Sequence, residues 1–289
     1  SQKKQTVTAS ASTLKVSSLK NVPTANLASS LGGRVSGVLI QQTGGEAGYD
    51  DPTIIIRGSS SPTSSSPLIV VDGIIGRSMA QLDPNEIESM TVLKDASAVA
   101  PYGARGANGV ILITTKRGKS GKAQVDYNFK VGFGTPTRMP EIASSYDHAR
   151  FMNEAWRNKE MDLGEDPGMY GIYNEEELQK FRDGSDPYGY PNTDWNKEVL
   201  LPRAWQQMHS LTASGGSDKV KYFAGFGYVK QDALYGDTRT NESTSGFNRY
   251  NARVNIDANI VDKYLNLSAD MAYRQEDRNS IAGSTSDVF

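Results

Sequence analysis

Two runs, PLIVVDGIIG at Pro67–Gly76 and LDPNEIESMTVLKDASAVAPYGARGANGVILITTK at Leu82–Lys116, decide how the N-terminal part of the chain folds. Leu68 to Val71 is an apolar, β-branched run closed by Asp72-Gly73, which reads as a buried strand followed by a tight reversal. Asp83, Pro84 and Glu86 supply an N-cap, a first-turn proline and a capping-box carboxylate for a short helix. Ser89 to Leu93 is the next short strand. Asp95 caps a helix over Ala96 to Ala100, and Pro101 stops it because proline has no N–H and disfavours helical geometry in the residue before it. Gly103, Gly106 and Gly109 space a turn before the β-branched strand Val110 to Thr115.

These glycines invite two enzymatic readings, and both fail. A dinucleotide fingerprint needs G-x-G-x-x-G between a strand and a helix, whereas the spacing here is G-x-x-G-x-x-G and a strand follows. A phosphate loop needs Gly-Lys-Ser/Thr opening a helix, and none is present. A turn where backbones pack closely is the better account.

The same residues carry a resemblance. VVDG, LDPNEIESMTVLKDASA and YGARGANGVILITTKRG, taken in that order, are similar to the plug domain of SusC/RagA-type TonB-dependent outer-membrane transporters. The upstream LGGRVSGV at Leu31 to Val38 and IIIRG at Ile54 to Gly58 resemble the start of that plug. Pro101 departs from the pattern, since the family usually carries an aliphatic residue before the tyrosine.

The 289 residues have room for one large domain or two ordinary ones. A formal net charge of -2, from 31 basic and 33 acidic residues, gives no electrostatic case for nucleic acid. With no cysteine there is neither a disulfide nor a thiolate metal site. No apolar run of about 18 residues marks a membrane-spanning helix. SQKKQTVTAS at the start lacks the apolar core of a signal peptide, so a mature product or a shortened front is expected. The resemblance implies the latter, because the TonB box that precedes such a segment in the family is not seen.

Residues 1–20 read as a flexible lead rich in Ser, Thr and Lys. Thr24 or Asn26 caps a short helix through Leu31, and Val35 to Gln41 and Thr53 to Arg57 are strand candidates. The polar run between Gly58 and Pro67 reads as a solvated connector, a lumenal substrate contact being the alternative. Arg57 and Arg105 lie in apolar or glycine-rich segments, where an unpaired buried guanidinium is costly, so each needs an acidic partner unless it is an ordinary surface arginine. The resemblance implies that they pair with barrel glutamates and latch the plug.

After Lys122 the period changes to two. Val125, Tyr127, Phe129, Val131 and Phe133 alternate with polar residues, as a strand with one apolar and one wet face requires. Four further runs follow: a weaker one at Trp205, Leu211 and Ala213, then Val220 to Tyr228, Tyr250 to Ile256 and Leu265 to Tyr273. A soluble sandwich also alternates, but the connections run long, short, long, short, as in outer-membrane barrels. Tyr127, Phe133, Tyr228, Tyr250 and Tyr273 near strand ends fit interfacial girdles.

The long connection has its own helices, opened by Ser144 or Ser145 and by Asn174. Its PNTDW at Pro191 to Trp195 also resembles the family. Asp162, Glu165, Asp166, Asp183 and Asp186 lack calcium-loop spacing, and a solvated acidic face suits them better. His148 and His209 have no metal-ligand companion.

The expected architecture is an α+β plug domain followed by an incomplete antiparallel transmembrane β-barrel. Residues 1–20 form the lead, 21–118 the plug and 119–289 about five barrel strands with a long outer loop at 135–204. Asp72, Gly73, Gly58, Gly103, Gly106 and Gly109 are the plug's structural turns. No enzymatic constellation, metal or cofactor is read from the residues. Five strands do not close a barrel, so a fragment of a larger protein is expected. The resemblance implies location in the cell outer membrane with the plug facing the periplasm, TonB-dependent import of a glycan or peptide, contact with outer-membrane lipid, a SusD-type surface lipoprotein and the TonB energy-transducing complex as partners. A secreted carbohydrate-binding β-sandwich is the rival.

Overall fold

The computed structural model of the chain describes residues 11–15, 26–42, 44–48, 51–56, 66–79, 82–139, 141–163, 171–240, 242–261 and 264–279. Arg57, Gly58 and most of the polar run that follows them lie outside these residues.

The N-terminal part contributes β1 (Ala11–Lys15), β2 (Val38–Gln41), β3 (Thr53–Ile56), β4 (Leu68–Val71), β5 (Ile74–Ile75), β6 (Ile87–Leu93) and β7 (Val110–Thr115). Five of these form one sheet in the order β1-β6-β7-β4-β5, and β2 pairs with β3 separately. Only β4 and β7 run parallel. The reversal from β4 to β5 puts Asp72 at φ 51° and Gly73 at φ 84°, a left-handed pair that an Asp-Gly sequence tolerates. Leu27, Leu31, Val71, Ile87, Met90, Ile111 and Ile113 make the core beneath this sheet. Gly109 enters β7 at φ 93°, and a Cβ there would come within 3.1 Å of Ile56, so backbone conformation and close packing both demand glycine.

Three local expectations need revision. The helix after Asp95 is α1 (Ala96–Val99), one residue shorter than read, and the chain tightens into a 3-10 helix over Ala100–Gly106. Pro101, lacking an N–H, is accommodated in that tighter turn. Within the lead, Ala11–Lys15 is a strand on the open edge of β6, with Leu14 opposite Met90 and packed against the core. Glu86 closes no capping box: Asp83 accepts from the Asn85 N–H at 2.8 Å, while the Glu86 carboxyl turns elsewhere.

The second sheet contains β8 (Gly121–Gly134), β9 (Ala204–Gly216), β10 (Val220–Asp232), β13 (Gly246–Val261) and β14 (Leu265–Asn279); the two-residue strands β11 (Gly236–Asp237) and β12 (Glu242–Ser243) pair apart from it. Its order is β14-β13-β10-β9-β8 and every pair is antiparallel. The outer strands β8 and β14 do not meet, so the described strands form an arc and not a closed barrel. Each long strand has 13 to 16 residues, more than the ~10 that cross a hydrocarbon layer when tilted.

The inner strands separate barrel from sandwich. Along β13, Val254 and Ile256 are 41% and 42% exposed, whereas Arg253 and Asn255 between them are 5% and 0% exposed. Apolar side chains face outward and polar ones are covered, the reverse of a soluble sandwich. Tyr127, Phe129 and Val131 are exposed, and no second sheet covers them among the described residues. Inverted burial of this kind is stable only where hydrocarbon replaces water on the outer face.

The chain divides into two compact units, and residues 135–202 with 235–242 belong to the second. That unit holds α2 (Ser145–Asp162), α3 (Glu175–Asp183) and α4 (Trp195–Val199). The Ser144 hydroxyl accepts from the Asp147 N–H, Asn174 and Glu177 form a reciprocal capping box, and Gly184 ends α3 in the left-handed region.

Val254→Lys, near the middle of β13 on the outer face, is expected to destabilise the complete protein in lipid by about 2–4 kcal/mol. Its urea midpoint in vesicles, compared with that of the unsubstituted protein, checks this.

Candidate functional site

The first unit brings the plug sheet against the inner face of the second sheet, and the contact is built mainly from polar groups. Alternation along β13 aims Arg249, Asn251, Arg253 and Asn255 at the plug, and all four are buried. On β9, Ser210 and Thr212 continue this covered polar surface. Apolar groups enter this face at a small cluster in which Ala47 meets Val229, Ala233 and Phe247, and at Phe223 of β10, which is buried.

Asp72, held in its left-handed turn, accepts from the Thr115 N–H at 2.9 Å and the Thr115 hydroxyl at 2.6 Å. Its other contact crosses to the barrel sheet, where an Arg253 NH2 donates at 3.3 Å. Arg253 also reaches Asp270 of β14 at 3.5 Å. Asp270 in turn accepts from Asn255 and from Arg117, the latter at 3.3 Å. Arg117 follows β7 and also meets Asp257 at 3.0 Å, so the segment leaving the plug is tied to β13 and β14. The Arg253–Asp72 pair is almost fully covered, and its two buried charges compensate each other.

Glu86 is the second plug carboxylate at this surface and is 4% exposed. Its Oε1 accepts from Asn251 Nδ2 at 3.1 Å. Directly over it lies Gly225 of β10, where a Cβ would come within 2.9 Å of that same oxygen. The missing side chain leaves a recess in the wall, and Glu86 occupies it. Burial raises the Glu86 pKa from 4.5 to about 7, the Asp83 charge adds to the rise, and Arg253, the Asn251 hydrogen bond and Arg249 oppose it. Beside it a cavity of about 150 Å³ is lined by the polar Arg77, Asn251, Arg253 and Arg274 and by the apolar Leu82 and Tyr273, with room for water next to the carboxyl.

Arg105 is exposed on the 3-10 helix and makes no ion pair within the described residues. Arg57 and Gly58 lie outside them. Of the other residues singled out from the sequence, Asp72 reaches the interface, while Gly73, Gly103, Gly106 and Gly109 shape turns in the plug itself. The covered pair Arg253–Asp72 has the opposite arrangement to a plug arginine on a barrel glutamate, whereas Arg117, at the plug's C-terminal end, pairs with the barrel aspartates Asp257 and Asp270. Arg249 and Arg253, on the polar face of one strand with Asn251 between them, were a legible sign that acidic partners had to come from another element. The pair Gly225 and Gly227 in a strand otherwise rich in bulky residues was the sign of a recess.

A small α+β domain seated on the polar face of an unclosed barrel sheet defines the receptor class, and comparisons with known proteins agree. The family model described as TonB-dependent Receptor Plug Domain matches residues 3–110. The chain is 30% identical over 277 residues to TonB-dependent receptor SusC of Bacteroides thetaiotaomicron, covering 92% of this chain and 24% of that protein. It is 34% identical over 263 residues to TonB-dependent receptor P3 of Formosa agariphila, covering 91% of this chain and 23% of that protein. Among solved structures, the RagAB peptide importer in its open-open state superposes with a TM-score of 0.74 at 27% identity, over 97% of this chain and 32% of that chain. The siderophore receptor PirA from Acinetobacter baumannii, at 16% identity and a TM-score of 0.55, shares the fold. The chain belongs to the TonB-dependent receptors of the SusC/RagA type and spans about a quarter of the length of the curated relatives it matches.

Arg253→Ala leaves Asp72 covered without its cation, and the expected loss is about 3–5 kcal/mol in seating of the plug. Gly225→Val, which fills the recess, is expected to unseat Glu86 and lower plug stability by about 1–3 kcal/mol. Urea unfolding of the complete receptor, read from hydrogen exchange of β6 and β7, measures both.

Proposed function

We propose that the chain is the plug and first barrel strands of an importer that carries a large nutrient, a glycan or a peptide, across the outer membrane. The observation that carries this reading is the inverted alternation of β13, with Val254 and Ile256 outward and Arg249, Asn251, Arg253 and Asn255 against the plug. Residues 21–118 form the plug, 119–289 begin the barrel wall, and 135–204 extend outward as its first long loop. The plug faces the periplasm, where the TonB energy-transducing complex draws on it. A SusD-type surface lipoprotein lids the outer opening. The peptide class gains support from the similarity to the RagAB peptide importer.

The work of such a protein is mechanical. A seat made of hydrogen bonds and ion pairs exchanges its partners for water when the plug shifts, so displacement forfeits less than exposing an apolar interface of equal area. Arg253 with Asp72 and Asn251 with Glu86 are the contacts that hold the closed state. Arg57 and Arg105 act as further latches on acidic residues of the barrel wall.

Vesicles containing the complete receptor are expected to swell slowly in sugar solutions, and at least several-fold faster with Arg253→Ala. Uptake of labelled oligosaccharide or peptide by cells is expected to vanish without TonB. TonB-independent uptake would remove the importer reading. Unchanged swelling and uptake with Arg105→Ala or Arg57→Ala would remove those two arginines from the latch.

A further inference from the structure

Glu86 is a carboxylate placed where a permanent ion pair was available and not used. Asp72 takes the covered guanidinium of Arg253, at 3.3 Å, while Glu86 receives only the neutral amide of Asn251. The elements packed around it account for its surroundings. Its own turn contributes Asp83, whose negative charge opposes a second one nearby. From β13 come Arg249, Asn251 and Arg253. Gly225 of β10 adds a recess without charge, and β9 brings Ser210 and His209 to the space beside the same turn, the His209 ring packing on Tyr127, Phe129 and Tyr228. Lys130 of β8 lines the space beside Asp83. Across the cavity stand Arg77 and Arg274, the latter bonded to Glu276. Lys116, at the end of β7, donates its N–H to the Glu86 carbonyl.

We propose that Glu86 is a proton-gated catch of the plug: protonated, it lies neutral in the Gly225 recess on Asn251, and loss of the proton loosens the plug from the barrel wall. The cavity beside it supplies the route by which the proton exchanges with water. Displacing the plug returns the group to water, where it ionises as an ordinary carboxylic acid and releases one proton. This deepens the importer reading by naming a regulation of the same interface, but it concerns seating alone and stands or falls without transport.

The sign follows from linkage. The seated group holds its proton to about pH 7 and the released group only to about 4.5. Between these values the seated state binds more protons, so seating is tightest in acid, weakens as pH rises through this window and is level above it. The expected change in the seating equilibrium from pH 5 to pH 8 is about 50- to 100-fold.

Hydrogen exchange of the β6 and β7 amides in the complete receptor in vesicles, corrected for intrinsic rate at each pH, tests this. Protection is expected to fall by about 50- to 100-fold between pH 5 and 8. Glu86→Gln is expected to keep the acid-limb protection throughout, with no step. Gly225→Ala, which pushes the carboxyl toward the cavity, moves the midpoint to lower pH. A level profile in the unsubstituted receptor, or a step that persists unchanged in Glu86→Gln, overturns the proposal. Loss of transport with an intact step would instead count against the importer reading alone.

Discussion

Covering a charged guanidinium is costly unless a carboxylate compensates it, and for Arg253 the nearest one lies on another layer of the structure. Asp72 comes from the plug and Asp270 from the neighbouring strand β14. Removing the plug would leave the arginine with Asp270 alone and expose a polar wall to water. Removing the barrel strands would leave Asp72 with only Thr115. The two sheets are therefore mutually dependent in their electrostatics while each keeps its own backbone pairing. That dependence explains why the turn carrying Asp72 adopts a left-handed backbone at a residue other than glycine: the side chain must point across the interface while its N–H still reaches Ile113.

The chemistry of this contact also sets how it comes apart. An apolar seat loses about 25 cal/mol for each Å² it exposes, with nothing returned by water. A polar seat recovers most of its hydrogen bonding from solvent, so its net contribution per bond is about 1 kcal/mol. The interface here is predominantly of the second kind, with the apolar cluster around Phe247 as a local exception. Strong specificity, from covered charges that tolerate one alignment only, is thereby combined with a modest cost of separation. The proposed importer needs both, since its plug has to hold a pore shut and then yield.

The barrel strands were legible because a two-residue period is a local property: Tyr127, Val254 and Met271 announce their face from immediate neighbours. The plug strands were legible for a similar reason, since β-branched runs bounded by Asp-Gly and glycine turns specify strand and reversal without distant help. The seat was not. Glu86 sits three residues after Asp83, the spacing of a capping box, and nothing nearby reveals that its partner is Asn251, 165 residues away. Asp72 likewise reads as a turn residue, although it meets Arg253 across 181 residues. Phe223 and Val229 face the plug although their strand's larger apolar set faces outward, because an inner wall that seals against another domain has to supply some grease. Local sequence encodes the direction of a side chain; it does not encode which distant surface arrives there.

Arg117 divides the labour further. It follows the last plug strand and is bonded to Asp257 and Asp270, so the link between plug and barrel is fixed to the wall at the point where it leaves β7. It is also partly exposed, and its ion pairs are screened in a way the covered Arg253–Asp72 pair is not. A tether needs only to limit travel, and a solvated pair is enough for that. A catch needs to distinguish one position from all others, which requires burial. Covered groups at Asp72 and Glu86 and a solvated group at Arg117 are what those two duties demand of the proposed importer.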